Sequence, residues 1–254
     1  ELSKNPCTVV GNFTSKEKKE MLFWTIDEFH LFLESIDNLK DYAIFYTLFW
    51  TGVRKGELLG LQWKDIDFSR RMIRITKAVN RFGTGGHWEL TTPKTLGSIR
   101  DILVINTLSD ILQDLYEQSK AFIGFNDDYF VFGSDKPLSF TGLDRIYKGY
   151  ITASSVKRIR IHDFRHSYAT ALIELGVDIM LLAKMLGHSS REQVFSTYGH
   201  LYPNKQHEVI AKIENCVQTV STPKLSIKKA HGCGLSESMV PKVGLEPTRF
   251  PVRF

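Results

Sequence analysis

Apolar residues recur at helical spacing over much of the chain, and the first clear case opens at Thr25. Thr25 and Glu28 have the spacing of a capping box, and Phe29, Phe32, Leu33 and Ile36 then fall on one face. A second helix is predicted over Asp41 to Thr51, apolar nearly all round and therefore central to a core, with Gly52 as its stop. Lys55 to Trp63 reads as a third, short helix. The period then changes from helical to alternating. Met72 to Val79 alternates as a strand should, with Ile73 and Ile75 on one side, and Asn80 to Gly86 reads as a turn. Trp88 to Thr92 and Arg100 to Ile105 are two further strands, joined by Pro93-Lys94-Thr95-Leu96-Gly97-Ser98, which puts Lys94 close to a hairpin tip.

Helical spacing returns at Thr107 to Phe122, where Leu108, Ile111, Leu112 and Leu115 share a face. Tyr129 to Phe132 reads as a short strand among turns. His162 to Leu175 is a helix closed by Gly176. Asp178 caps the next, which Gly187 ends, and Ser189 or Ser190 caps another whose far end carries Tyr198. Pro203 to Val217 is a last helix. The pattern as a whole predicts a mainly α protein with a small antiparallel β-sheet inserted among the helices, an α+β class. Residues 1 to 20, polar and lysine-rich, read as a linker; 21 to 216 hold the folded domain; 217 to 254, rich in Ser, Lys, Gly and Pro, read as a flexible basic tail.

A hydrophobic share of 43% over 254 residues is enough for a buried core. The longest apolar run, Tyr42 to Trp50, is about half of the roughly 20 residues that cross a bilayer. Cys7, Cys216 and Cys233 are odd in number and scattered, which suits reduced thiols. A cytoplasmic protein with no membrane partner is expected, and a chain opening on Glu1 is expected to be part of something longer. Charge changes this picture little. Of the net +5, four units fall after residue 216, so composition alone supports a nucleic-acid partner only weakly.

The chemistry lies in a few polar positions between the apolar ones. Arg54 follows the Gly52 stop; His162 and Arg165 are three apart on one helix; His188 follows Gly187; Tyr198 ends its helix. Cleaving a phosphodiester without a metal needs a nucleophile, cations around the non-bridging oxygens and an acid for the leaving oxygen. Arginine suits the second role because its planar fork donates two parallel hydrogen bonds and keeps its charge. A phenol can be the first, given cations to lower its pKa from near 10. This set implies no cofactor, ATP or metal. His231, Cys233 and Cys216 match no zinc spacing.

Thr51-Gly52-Val53-Arg54-Lys55-Gly56-Glu57, His162-Asp163-Phe164-Arg165-His166 with Ala169-Thr170, Leu186-Gly187-His188-Ser189-Ser190 and Thr197-Tyr198 together resemble the motifs of the tyrosine recombinases, the phage and transposon integrase family. The order is right, across about residues 23 to 215. The resemblance implies that Arg54, His162, Arg165 and His188 bind and activate the scissile phosphate and that Tyr198 attacks it. It further implies that Lys94 protonates the leaving 5′ oxygen and that Glu57 supports the site, most simply by orienting an arginine. It implies the family's mostly helical catalytic fold and a clamp domain upstream, out of which residues 1 to 20 lead. It also implies double-stranded DNA as substrate, a homotetramer on that DNA, and an excisionase or host DNA-bending protein as partner. The expected activity is integration or excision of a phage or conjugative transposon through 3′-phosphotyrosine intermediates.

Alternatives stand beside several of these. Tyr202 also follows the last capped helix, Lys77 competes with Lys94, and Glu57 could be an ordinary surface acid. His166 and His200 read as structural or near-site. Trp24, Trp50 and Trp63 read as core rather than as a base-stacking platform. A type IB topoisomerase would use the same cage to relax DNA, and a DNA-binding regulator could keep the fold without the reaction.

Overall fold

In the computed structural model the described residues are 21–82, 87–92, 99–187, 191–202, 210, 213 and 214. The first helix, α1 (Ile26–Leu33), begins where the capping box places it. Thr25 Oγ1 accepts from the Glu28 backbone N–H at 3.2 Å, and Glu28 Oε2 accepts from the Thr25 N–H at 2.9 Å. Phe29, Phe32 and Leu33 are buried. Helix α2 (Leu39–Thr51) is capped by Asn38 and buried on all sides from Ala43 to Phe49, as its continuous apolar run requires. It stops at Gly52, whose φ of 60° is left-handed. A Cβ there would lie 2.4 Å from the Tyr168 ring, so both the backbone angle and the close approach demand glycine.

The third helix ends sooner than its apolar pattern predicts. Helix α3 (Lys55–Leu59) gives way at Gly60, because the following backbone pairs elsewhere: Gln62 bridges to Phe130, and Trp63 N–H donates to the Tyr129 carbonyl. A 3-10 turn, Trp63–Asp65, follows. This bridge is also all that remains of the short strand expected at Tyr129 to Phe132.

The single predicted sheet is two. Strands β1 (Ile66–Asp67), β2 (Met72–Ile75) and β5 (Arg100–Leu103) form one antiparallel sheet in the order β1-β2-β5. Strands β3 (Ala78–Phe82) and β4 (His87–Thr91) form the other. The alternating run of Met72 to Val79 is therefore split between sheets, and Asn80 to Phe82, read as turn, is strand. β4 and β5 do not pair with each other, so the hairpin expected between these two strands is not formed; Lys94 itself lies outside the described residues. Alternation reports which side of a strand is buried and carries no information on its partner.

After the sheets come α4 (Asn106–Ser119), α5 (Phe140–Ala153), α6 (Asp163–Glu174), α7 (Ile179–Leu186) and α8 (Arg191–Tyr198), then a 3-10 turn, Gly199–Leu201. Helix α5 is an addition to the predicted elements, although the hydrophobic pattern holds it. Ser139 caps it, and Leu143, Tyr147 and Ile151 are buried four residues apart. Helix α6 starts at Asp163, with His162 as its cap residue. The principal core joins α1, α2, α5 and the start of α6 through stacked and edge-on rings. Phe29 lies on Phe49 at 3.8 Å, and Phe164 meets Trp24 at 5.0 Å and Phe45 at 5.8 Å. A smaller cluster joins the rest of α6 to α7 and α8. Trp24 and Trp63 are core, as expected, and Trp50 is half-buried against it.

Candidate active site

Arg165 sits one residue after Phe164, the ring fixed in the aromatic core, and it is itself buried, at 3% exposure. Its guanidinium is held from two sides. One terminal nitrogen donates to the Gly52 carbonyl at 2.7 Å, and the other donates to the Leu186 carbonyl. These are the last carbonyls of α2 and α7, orphaned where each helix turns left-handed at glycine, and both lie at the negative end of a helix dipole. One cation thereby braces the two turns that lead into Arg54 and into His188. Two of its five N–H donors are used in this way. Burial, then the charges of Arg54 and Arg100, push it down to about 9, which leaves it protonated at neutral pH.

Arg54 is the cap residue of α3 and more than a third exposed. Its backbone N–H donates to Glu57 Oε2 at 2.9 Å and its guanidinium to Oε1 at 2.9 Å. Glu57 is buried, not an ordinary surface acid. Its other partner is Arg100 of β5, whose fork spans both carboxylate oxygens at 2.8 and 3.2 Å. Burial works to raise the Glu57 carboxyl, but the hydrogen bonds and charge of Arg100, and then those of Arg54, outweigh it and hold it at about 2. Glu57 therefore stays ionised and fixes Arg54 by two contacts.

His162 lies exposed at the head of α6, and partial desolvation followed by the Arg165 charge pushes its imidazole down. Arg165 points inward, so three-residue spacing brings the two to one end of the helix at different depths. The intervening Asp163 is fully buried and taken by Arg160, with contacts of 2.7 to 3.2 Å. Tyr198 closes α8 with its ring buried. Burial dominates the phenol and pushes it up to about 12, although Arg165 pulls the other way. The expected lowering by neighbouring cations is thus outweighed by burial. Tyr198 Oη lies 2.8 Å from His166 Nδ1. Lys94 and His188 lie outside the described residues.

Residues 16–205 match the phage integrase family. The chain belongs to that family, the tyrosine recombinases. It is 38% identical over 223 residues to the ICEBs1 integrase of Bacillus subtilis (strain 168), a match covering 84% of this chain and 60% of that relative. It is 31% identical over 219 residues to the tyrosine recombinase XerC of Pediococcus pentosaceus, covering 83% of this chain and 68% of the relative. The fold is similar to that of the Tn1549 transposon integrase solved in complex with transposon right-end DNA, with a TM-score of 0.66 at 24% identity over 85% of this chain and 73% of that one. The chain thus spans 60% of the length of its ICEBs1 relative.

Within this member of the family the competing candidates are occupied. Tyr202 donates its hydroxyl to the Val177 carbonyl at 3.1 Å, in the turn between α6 and α7, and Lys77 is ion-paired with Asp65. Arg100 and the partnership of His166 with Tyr198 were not legible. Arg100 reaches Glu57 through strand register, which no local spacing encodes. His166 had one usable signal: it lies four residues after His162, on the same face of α6, and the two rings meet edge-on at 5.4 Å.

Proposed function

We propose that this chain carries the catalytic domain of a site-specific recombinase that integrates or excises a mobile element, cleaving and rejoining DNA through a 3′-phosphotyrosine. The observation that carries the reading is the bracing of Arg165 against the turn that presents Arg54. Two guanidiniums from separate helices are gathered at one place with His162 at its rim and the Tyr198 phenol nearby. The names of its relatives, an integrase and a recombinase, point the same way.

In this reading Arg54 and Arg165, with His162 and His188, bind the non-bridging oxygens and stabilise the charge that grows on them. Tyr198 Oη attacks phosphorus, the bond to the 5′ oxygen breaks, and Lys94 protonates the oxygen that leaves. Glu57 keeps Arg54 in place. Residues 21 to 216 form the catalytic domain, 1 to 20 the linker into it and 217 to 254 a basic tail. The partners are double-stranded attachment-site DNA, three further copies of the chain, and an excisionase or host DNA-bending protein, in a bacterial cytoplasm.

The test is a denaturing-gel assay for a covalent protein–DNA adduct in excess chelator, on nicked suicide duplexes built from the element's ends. The wild type forms the adduct and Tyr198→Phe does not. An adduct from Tyr198→Phe would move the nucleophile elsewhere. Relaxed circles without recombinant junctions would convert the reading to a topoisomerase, and DNA binding without an adduct would convert it to a regulator.

A further inference from the structure

Among the described residues the Tyr198 hydroxyl is hydrogen-bonded to His166, a group with no role in the mechanism above. His166 Nδ1 stands 2.8 Å from Tyr198 Oη, within the range of a direct proton transfer, and the two rings lie 5.7 Å apart and tilted. His166 is a half-buried residue of α6, one position after Arg165, so the helix that supplies the buried guanidinium also meets the nucleophile. We infer that His166 is the general base of the cleavage step: its Nδ1 accepts the phenolic proton of Tyr198 as Oη attacks the scissile phosphorus.

This rests on Tyr198 being the nucleophile. The step balances without another reactant. The Oη–P bond forms, the P–O5′ bond breaks, the phenolic proton passes to His166 Nδ1, and the 5′ oxygen takes its proton from the acid on the leaving side. In the rejoining step the 5′ hydroxyl gives its proton back to the leaving-side group and displaces Oη from phosphorus, and protonated His166 returns its proton to the departing phenolate.

The surroundings of His166 keep its ring uncharged. From its own helix it is faced by His162, Asp163 and Arg165, from the preceding turn by Arg160, and from α8 by Tyr198. Burial comes first, then His162, with the Arg160 and Arg165 charges adding and Asp163 opposing, and together they push the imidazole down to about 4. At neutral pH the ring is therefore neutral, and the tautomer with its proton on Nε2 leaves the Nδ1 lone pair aimed at the phenol. The same burial pushes the phenol up, so Tyr198 does not ionise unaided near pH 7, and a partner that takes the proton during attack removes that obstacle.

The experiment is single-turnover cleavage of the suicide duplex by the full chain between pH 6 and 9. Wild type, His166→Ala, His166→Asn and Tyr198→Phe are compared, with DNA gel shift and thermal unfolding as checks of folding. A positioned base contributes on the order of 100-fold or more, so His166→Ala loses about that factor at pH 7. Its rate then climbs about tenfold per pH unit, as hydroxide replaces the missing base, where the wild type is flat. Added imidazole restores part of the rate to His166→Ala and none to Tyr198→Phe. His166→Asn, which keeps a hydrogen-bonding group near Nδ1, shows the same slope and serves if the alanine variant does not fold. A flat profile with no rescue by imidazole would reduce His166 to a support for the ring and overturn the inference. A variant faster than wild type would also overturn it, making the contact a restraint on the phenol. An adduct from Tyr198→Phe would instead overturn the nucleophile on which the inference stands.

Discussion

Arg165 is carried by the aromatic core, whereas Tyr198 is carried by the smaller cluster of α6, α7 and α8. Phe164 anchors the first, closed in by Trp24, Phe45 and Tyr147, and the guanidinium beside it is pinned to two helix ends. Tyr198 packs among Tyr168, Leu182, Leu186 and Val194, while Met180, Leu181 and Phe195 of the same helices face solvent. The half that holds Arg165 is thus over-determined by packing, hydrogen bonds and charge. The half that carries the phenol rests on a smaller cluster, Tyr168 among aliphatic side chains, with the Tyr198 hydroxyl bonded to an imidazole. Local opening draws on elements with few buried apolar contacts, so α7 and α8 are expected to open before the helices of the aromatic core.

The sharpest way to break the first half is Arg165→Lys. A lysine keeps the charge but cannot span both carbonyls, so adduct formation falls by about 100-fold or more, read in the suicide-duplex assay, while gel-shift affinity changes far less. Core truncations separate the halves by stability. Phe164→Ala costs about 3–5 kcal/mol in denaturant unfolding and loosens every helix of the core together. Leu182→Ala costs about 2–4 kcal/mol, and hydrogen exchange places its added opening in α7 and α8 alone. Equal loss of protection in α2 would show that the two regions are one cooperative unit.

Glu57 sharpens the comparison through pH. Its folded value of about 2 lies below the ordinary 4.5, so the stability it contributes is present above pH 4.5 and is lost as pH falls toward 2. The difference corresponds to about 3 kcal/mol. Glu57→Gln removes that pH dependence in acid unfolding curves and leaves Arg100 without its buried carboxylate. A curve for Glu57→Gln that parallels the wild type between pH 4.5 and 2 would place the linkage on another acid. The smallest effect is expected at Gly187→Ala. The left-handed φ of 64° and a Cβ 2.8 Å from Arg100 Cδ cost about 1–2 kcal/mol, and the strain falls on the turn into His188, so cleavage drops more than unfolding shifts.

Local signals carried far in this chain. The Thr25 box, the Gly52 and Gly187 stops and the Asp178 cap lie where they were read, because caps and left-handed turns are set by residues within four positions of one another. Helix α5 was not predicted, although its signals, the Ser139 cap and Leu143, Tyr147 and Ile151 at four-residue spacing, are equally local. The sheets were not: alternation marked Ile73 and Ile75 as inward, but only long-range pairing set Met72 against Leu103 and Ala78 against Thr91.

The same boundary runs through the candidate site. Arg54, His162, Arg165 and Tyr198 were singled out as candidates by type and spacing, and Glu57 by the family resemblance, since each motif is a few residues long. What each side chain does was decided by the fold. Arg165 faces inward to two helix ends, Glu57 is shared with an arginine from a strand forty-three residues away, and Tyr198 meets His166 across thirty-two. Residue type settles the donors and acceptors a chain can offer, and nearby residues settle its turns. Burial and partnership across such separations, which set the charge of Glu57 and the proton of Tyr198, exist only once the helices have packed.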